Sequence, residues 1–259
     1  MELPPSDDLF TAKPQLAPTM IFLDLDNTLF DHRQSLKYAL AAVQSIIPSL
    51  REITSDDLAE KYNEALNHVY GRYLRNEIAD EDQNAEKVKL FLKSLDLEEP
   101  DSECIARFRS VYKRIYRTNR EATPGSIQTL RRLRDNGYRT AIITNGPTGS
   151  QIEKAKAIGV FDLVECLITS EEAGHPKPDV RIFQYAMQKL RANTKNVYMV
   201  GDSVKADVKG ALDANITAIL YSPSSNKSLE MFFGREVSVI RHFDQLPMIL
   251  ESPLDSSWE

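Results

Sequence analysis

The chain has 259 residues, 42% hydrophobic and 27% charged, the composition of an ordinary soluble globular protein with room for one large domain or one domain with a sizeable insertion. A net charge of −6 and a pI near 5.4 argue against a nucleic-acid binder, which normally carries a basic face. Two cysteines, Cys104 and Cys166, with no CxxC pattern, speak against a zinc site or a disulfide framework. No apolar stretch approaches the ~18–20 residues that span a bilayer, and the N-terminus lacks the apolar run of a secretory signal. The expectation is a cytoplasmic protein without a nucleic-acid or membrane partner; the oligomeric state is left open.

Residues 1–18 are Pro-rich and aperiodic and read as a loosely attached tail. The run Met20-Ile21-Phe22-Leu23 then reads as a strand buried on both faces, as in a parallel sheet. It leads into two carboxylates, Asp24 and Asp26, and a turn at Asn27-Thr28. Acids beside a core are costly unless a cation or a reaction uses them. Open α/β sheets bind ligands at the carboxyl ends of their strands, which is where these two fall. The alternative is a turn whose aspartates merely cap backbone N–H groups.

From about 34 to 120 the pattern is helical throughout. Helices are expected over Gln34–Ile47, from the acidic capping box at Thr54-Ser55-Asp56-Asp57 past Tyr73, over Asn84–Leu95, and from Asp101 to about Tyr116. Four helices with short connections suggest a small bundle. Tyr62, Tyr70 and Tyr73 with Arg72 and Arg75 could face a base or sugar, although packing between helices accounts for the tyrosines as well. Lys87 and Lys89 read as a charged face, and His32 and His175 as loop histidines, with the mouth of a pocket as the alternative.

Strand–helix alternation begins after that. A helix opened by Thr123-Pro124 and stopped at Asn136-Gly137 precedes a strand over Tyr138–Thr144. A helix over Gly149–Ile158, a strand over Leu163–Thr169, a helix from Pro178 to Arg191 and a strand over Asn196–Val200 follow. A helix over Val204–Ala214, a strand over Ile216–Tyr221 and a last strand and helix within Glu236–Leu250 complete the series. The alternation argues for an α/β fold with a doubly wound parallel sheet, into which the helical segment is inserted.

Three strands thus end in polar residues: Asp24 and Asp26; Thr144-Asn145-Gly146; and Gly201-Asp202-Ser203, with Asp207 just beyond. Between the last two lies His175-Pro176-Lys177-Pro178-Asp179, a lysine held between prolines. In this order the pieces resemble the four motifs of the haloacid dehalogenase-like hydrolase superfamily, in its phosphatase branch. Asp24–Phe30 (DLDNTLF) resembles motif I, Ile142–Gly146 motif II, Lys177 motif III and Gly201–Asp207 (GDSVKAD) motif IV, with the likeness running from about 19 to 245. The superfamily's dehalogenases carry a non-acidic residue two positions after the nucleophile, so Asp26 argues against that activity.

The resemblance implies a Rossmann-like catalytic core at 19–31 and 122–259 and a helical cap at 32–121. It implies Asp24 as nucleophile, forming an aspartyl-phosphate, and Asp26 as general acid and then base, off the metal by its side chain and holding a proton near neutrality. It further implies Mg2+ held by the side chains of Asp24 and Asp202 and the backbone carbonyl of Asp26. Thr144, the Asn145 backbone and Lys177 would bind the substrate phosphate, and Asp207 would orient metal waters or Lys177. The expected activity is hydrolysis of a small phosphomonoester, a nucleotide or sugar phosphate. Alternatives are a sugar phosphomutase or phosphotransferase, and a catalytically quiet protein that binds phosphorylated ligands.

Overall fold

The computed structural model describes residues 19–251, so the Pro-rich segment 1–18 lies outside the described residues. The apolar run becomes β1 (Met20–Leu23), every residue of which is buried. Alternate residues feed two separate cores: Ile21 and Leu23 pack on one face of the sheet, Met20 and Phe22 on the other. This two-sided burial explains why the strand carries no polar alternation.

Four helices follow: α1 (His32–Ile46), α2 (Ser55–Leu74), α3 (Gln83–Lys93) and α4 (Ser102–Thr118). Side-chain oxygens start three of them. Asp31 accepts from the Gln34 N–H at 2.8 Å, Thr54 from Asp57 at 3.1 Å, and Asp101 from Cys104 at 2.7 Å. Their apolar faces enclose a third core around Leu40, Val43, Leu58, Tyr62, Phe91 and Phe108. Tyr62 is buried there, its ring 5.3 Å from Phe91 and stacked on Phe108 at 5.8 Å, so packing accounts for it.

The chain enters and leaves the helical segment through two paired stretches of backbone. Asp31 N–H donates to Glu121 O at 3.0 Å, and Thr123 N–H to Leu29 O at 2.9 Å. Beside them Ser35 Oγ donates to Asn119 O at 2.9 Å. These bonds draw Thr123 out of the next helix, α5 (Ser126–Asp135), which starts after Gly125 instead of at Thr123-Pro124. Gly125 has a φ of 80°, a conformation that a side chain resists and a helix cannot contain.

The remaining elements are β2 (Arg139–Thr144), α6 (Thr148–Ala157), β3 (Leu167–Thr169), α7 (Ser170–Ala173), α8 (Val180–Leu190), β4 (Val197–Gly201), α9 (Lys209–Asp213), β5 (Thr217–Tyr221), β6 (Leu229–Phe232), β7 (Arg235–Ile240) and α10 (Leu246–Glu251). The seven strands lie in the order β3-β2-β1-β4-β5-β7-β6, all parallel except β6, which pairs antiparallel with β7. The doubly wound parallel sheet is therefore present.

Three expectations shift locally. β3 begins at Leu167 because Phe161–Leu163 coil into a 3-10 turn. The helix expected from Val204 opens with a single π turn over Val204–Val208 before α9. β7 is the strand expected within Glu236–Leu250, and β6, its antiparallel partner, is additional. Among the described residues no helix is long and apolar enough to cross a membrane.

Candidate active site

β1 and its neighbours β2 and β4 run parallel and in register, so their carboxyl ends open on one side of the sheet. Asp24 continues the ladder, its N–H donating to Val200 O at 2.9 Å, and carries a buried carboxylate. Lys177 meets it from the loop before α8, at a cis Lys177–Pro178 peptide. Asn145 sets that loop in place: its side-chain oxygen accepts from Lys177 N–H at 2.8 Å and its amide donates to Lys177 O at 3.0 Å. The Asn145 side chain is thereby spent on scaffolding, while Thr144, buried at the end of β2, lines the cavity beside it.

The Lys177 ammonium spends its three protons on Asp24 Oδ1 at 2.6 Å, Asp207 Oδ1 at 2.6 Å and Ile143 O at 2.8 Å. Burial alone would lower its proton affinity, but the two carboxylates outweigh it and hold the ammonium charged, above the usual lysine range. Asp207 Oδ2 accepts from Ser203 N–H at 3.0 Å, so both of its oxygens are engaged within the fold. The π turn brings this side chain back against Gly201, where a Cβ would lie 2.2 Å from Asp207 Oδ2. Only glycine fits there.

Carboxylate oxygens of Asp24, Asp202 and Asp207 lie within 4.8 Å of one another. Burial raises the Asp24 carboxyl to about 7 in spite of Lys177, with Asp207 and Asp26 adding to the rise. Burial, then Asp24 and Asp207, raises Asp202 to about 8. Asp202 has little compensation, since Thr28 Oγ1 stands 3.5 Å from its Oδ1. Crowded anions short of counter-charge, with oxygen donors only, fit a hard divalent cation. Asp207 enters this cluster through its position, although Lys177 and Ser203 already occupy its oxygens.

Asp26 departs from expectation. Its carboxylate is not one of the clustered three and is gripped by Lys154 of α6, with Nζ 2.7 Å from both oxygens. Gln151 Nε2 lies 3.4 Å away. Burial pushes the carboxyl up, but Lys154, helped by His32 and Gln151, prevails and holds it below the usual carboxylate value. The full ion pair stabilises the charged form and opposes a proton held there near neutrality.

His32 is likewise no loop residue. It begins α1, buried, its Nδ1 2.6 Å from Tyr116 Oη, and burial lowers its pKa in spite of Asp26. Neither Lys154 nor Tyr116 stood out in the sequence.

The site floors a cavity of about 1110 Å3 between the strand ends and the helical segment, lined by Asp24, Thr144 and Lys177 below and by residues of α2, α3 and α4 above. A sequence profile of the haloacid dehalogenase-like hydrolases matches residues 18–215, which takes in the three polar strand ends and the Lys177 loop. The chain belongs to the haloacid dehalogenase-like hydrolase family. Family relatives aligned over most of this chain include phosphatases. Glyceraldehyde 3-phosphate phosphatase of Methanothermobacter thermautotrophicus is 28% identical, over 89% of this chain and 98% of its own length. Ribulose-1,5-bisphosphate 5-phosphatase of Halopiger xanaduensis is 27% identical, over 80% and 85% respectively. Among solved structures of the family fold, the magnesium-bound HAD-hydrolase YfnB of Bacillus subtilis superposes with a TM-score of 0.70 at 19% identity, covering 91% of this chain and 99% of that one.

Proposed function

We propose that the protein is a magnesium-dependent phosphatase that hydrolyses a small phosphorylated metabolite, a sugar phosphate before a nucleotide, through an aspartyl-phosphate on Asp24. The observation that carries this is the Asp24 carboxylate: one oxygen is fixed by Lys177 at 2.6 Å, while no hydrogen bond within the described residues engages the other, beside Asp202. A carboxylate aimed through one oxygen is a nucleophile through the other once a bound cation offsets the rise that burial gives its proton affinity. The phosphatase relatives support sugar phosphates.

Asp24, Asp202 and the backbone carbonyl of Asp26 would hold the metal, with Asp207 steadying Lys177. Bound there, magnesium would neutralise the crowded carboxylates and draw charge from the phosphoryl oxygens. Thr144 and the Asn145 backbone N–H would hold those oxygens, with Lys177 adding fixed positive charge behind Asp24. Asp24 attacks phosphorus in line, and the leaving oxygen takes a proton from Asp26. Asp26 must part from Lys154 and gain that proton as the substrate enters; the arriving phosphate charge raises its proton affinity and offers Lys154 another partner. Asp26, left as a carboxylate, then draws a proton from the water that cleaves the acyl-phosphate. The helical segment 32–121 would act as the cap that excludes bulk water during these steps.

The test is hydrolysis of an aryl phosphate with magnesium and with chelator, by wild type and Asp24→Asn. Turnover that needs magnesium and vanishes in the variant, with its far-UV circular dichroism intact, is expected. Wild-type turnover in Asp24→Asn would refute the nucleophile.

A further inference from the structure

The catalytic groups occupy only the floor of the cavity, and its roof is cationic. Lys87 of α3 and Arg109 and Lys113 of α4 line the same space as Asp24 and Lys177. Arg109 and Lys113 stand four residues apart, one above the other on one face of α4. Neighbouring cations of the segment are paired: Arg72 with Glu86 at 2.7 Å, Lys89 with Glu99 at 2.9 Å, Arg117 with Glu153 at 3.1 Å. Among the described residues, no carboxylate lies within ion-pair distance of Lys87, Arg109 or Lys113.

Lys87 bears the cost of that arrangement. Its side chain is half-buried, and burial together with the like charge of Arg109 lowers its proton affinity, with Asp80 opposing from beyond ion-pair distance. A desolvated ammonium beside a guanidinium, with no anion in reach, is the reverse of the usual rule that buried charges are paired. An anion seated between them removes both penalties at once. Guanidinium and ammonium groups converging from two helices suit a phosphate or carboxylate, the guanidinium by its forked donors. Asn63 and Asn67, four apart on α2, supply neutral donors and acceptors to the same cavity, as a hydroxylated carbon chain would require. The volume exceeds what a phosphoryl group alone needs and lies just above the usual range of small-ligand pockets.

We propose that Lys87, Arg109 and Lys113 form a binding site for a second anionic group of the substrate, a phosphate or carboxylate at the end remote from the bond that is cleaved. The preferred substrate is then a short metabolite charged at both ends. This rests on the phosphatase reading for the chemistry at Asp24, but the anion site itself does not depend on turnover.

The deciding measurement uses a three-carbon series of a monophosphate with a neutral end, the bisphosphate and the phosphocarboxylate, with magnesium present. Wild type, Lys87→Met and Arg109→Met are compared by steady-state kinetics and by calorimetric binding. In wild type a ligand with two anionic ends should exceed the neutral-ended one by about tenfold to a hundredfold in kcat/KM, carried by KM, and in affinity. That ratio should fall to within about threefold of unity in either variant, and the bisphosphate and phosphocarboxylate arms identify the anion. Equal values across the series in wild type, or a ratio that survives both substitutions, would overturn the proposal. If no ester is hydrolysed but calorimetry finds the preference and its loss in the variants, the anion site stands and the phosphatase reading falls.

Discussion

Replacing Asp202 by asparagine should stabilise the metal-free protein, and only on the alkaline side. Asp24 and Asp202 are raised to about 7 and about 8, whereas an unfolded aspartate titrates near ~3.9. The folded state therefore holds more protons than the unfolded state between roughly pH 4 and 8, and stability must decline as pH rises through that window. One unit is worth about 1.4 kcal/mol, so the shifts taken singly represent about 4 kcal/mol at Asp24 and about 6 kcal/mol at Asp202, upper bounds for groups that titrate together. The two shifts share one repulsion, which counts once. The Asp202→Asn substitution removes one desolvated charge outright and relieves Asp24, giving a gain of roughly 3–5 kcal/mol at pH 8 that vanishes near pH 4. At about 2–4 °C per kcal/mol, the melting temperature should rise by roughly 6–20 °C. Circular-dichroism melts from pH 4 to 8.5 with chelator read this directly: wild type slopes downward steeply, and the variant keeps only the shallower slope that buried Asp24 contributes. Excess magnesium should lift wild type at pH 8 and leave the variant nearly unmoved. A variant no more stable than wild type at pH 8, or with the same slope, would refute the account of the acidic cluster.

Three further substitutions probe the surroundings. Lys177→Met strips the shared cation from Asp24 and Asp207 and should cost about 3–5 kcal/mol in urea denaturation, since it leaves buried charges uncompensated. Lys154→Met should cost about 1–3 kcal/mol at pH 7, less because Asp26 is partly exposed, and lower kcat more than it raises KM. Asp26 is depressed in the folded state, so its stabilisation is full above the unfolded value and is lost as pH falls toward the folded one; the Lys154→Met deficit should therefore begin to shrink below about pH 4 in parallel melts. Gly201→Ala forces a Cβ against a fixed carboxylate and should destabilise by about 1–3 kcal/mol while weakening magnesium-induced stabilisation in thermal melts.

The sheet was legible because β1, β2 and β4 are buried on both faces, which leaves continuous apolar runs that end abruptly in polar residues. Asp24, Thr144, Lys177 and Asp202 were legible for the same reason, each standing where an apolar run or a proline pair stops. Lys154 was not. Along α6 it is one lysine of an ordinary charged helix, and its reach to Asp26, 128 residues away, depends on how the turn after β2 aims that helix. His32 has a similar history, its fate decided by Tyr116, 84 residues distant. Lys87 looked like a solvated face because residue spacing places it on a helix without saying what stands opposite. The β6–β7 hairpin did carry a readable signal in the alternation from Leu229 to Ile240 around Gly234.

The paired backbone at Asp31–Glu121 and Leu29–Thr123 brings the two points where the chain crosses into and out of the helical segment to within a single hydrogen bond. An inserted piece whose ends meet so closely puts little constraint on its own length, and the host feels it mainly where Ala39 and Tyr116 pack against the sheet's core and Arg117 and Arg120 pair with Glu153. Helical segments of other sizes, provided their termini converge to the same separation, can thus be exchanged at these two crossings as cassettes. The helical wall of the cavity above Asp24 becomes a replaceable part.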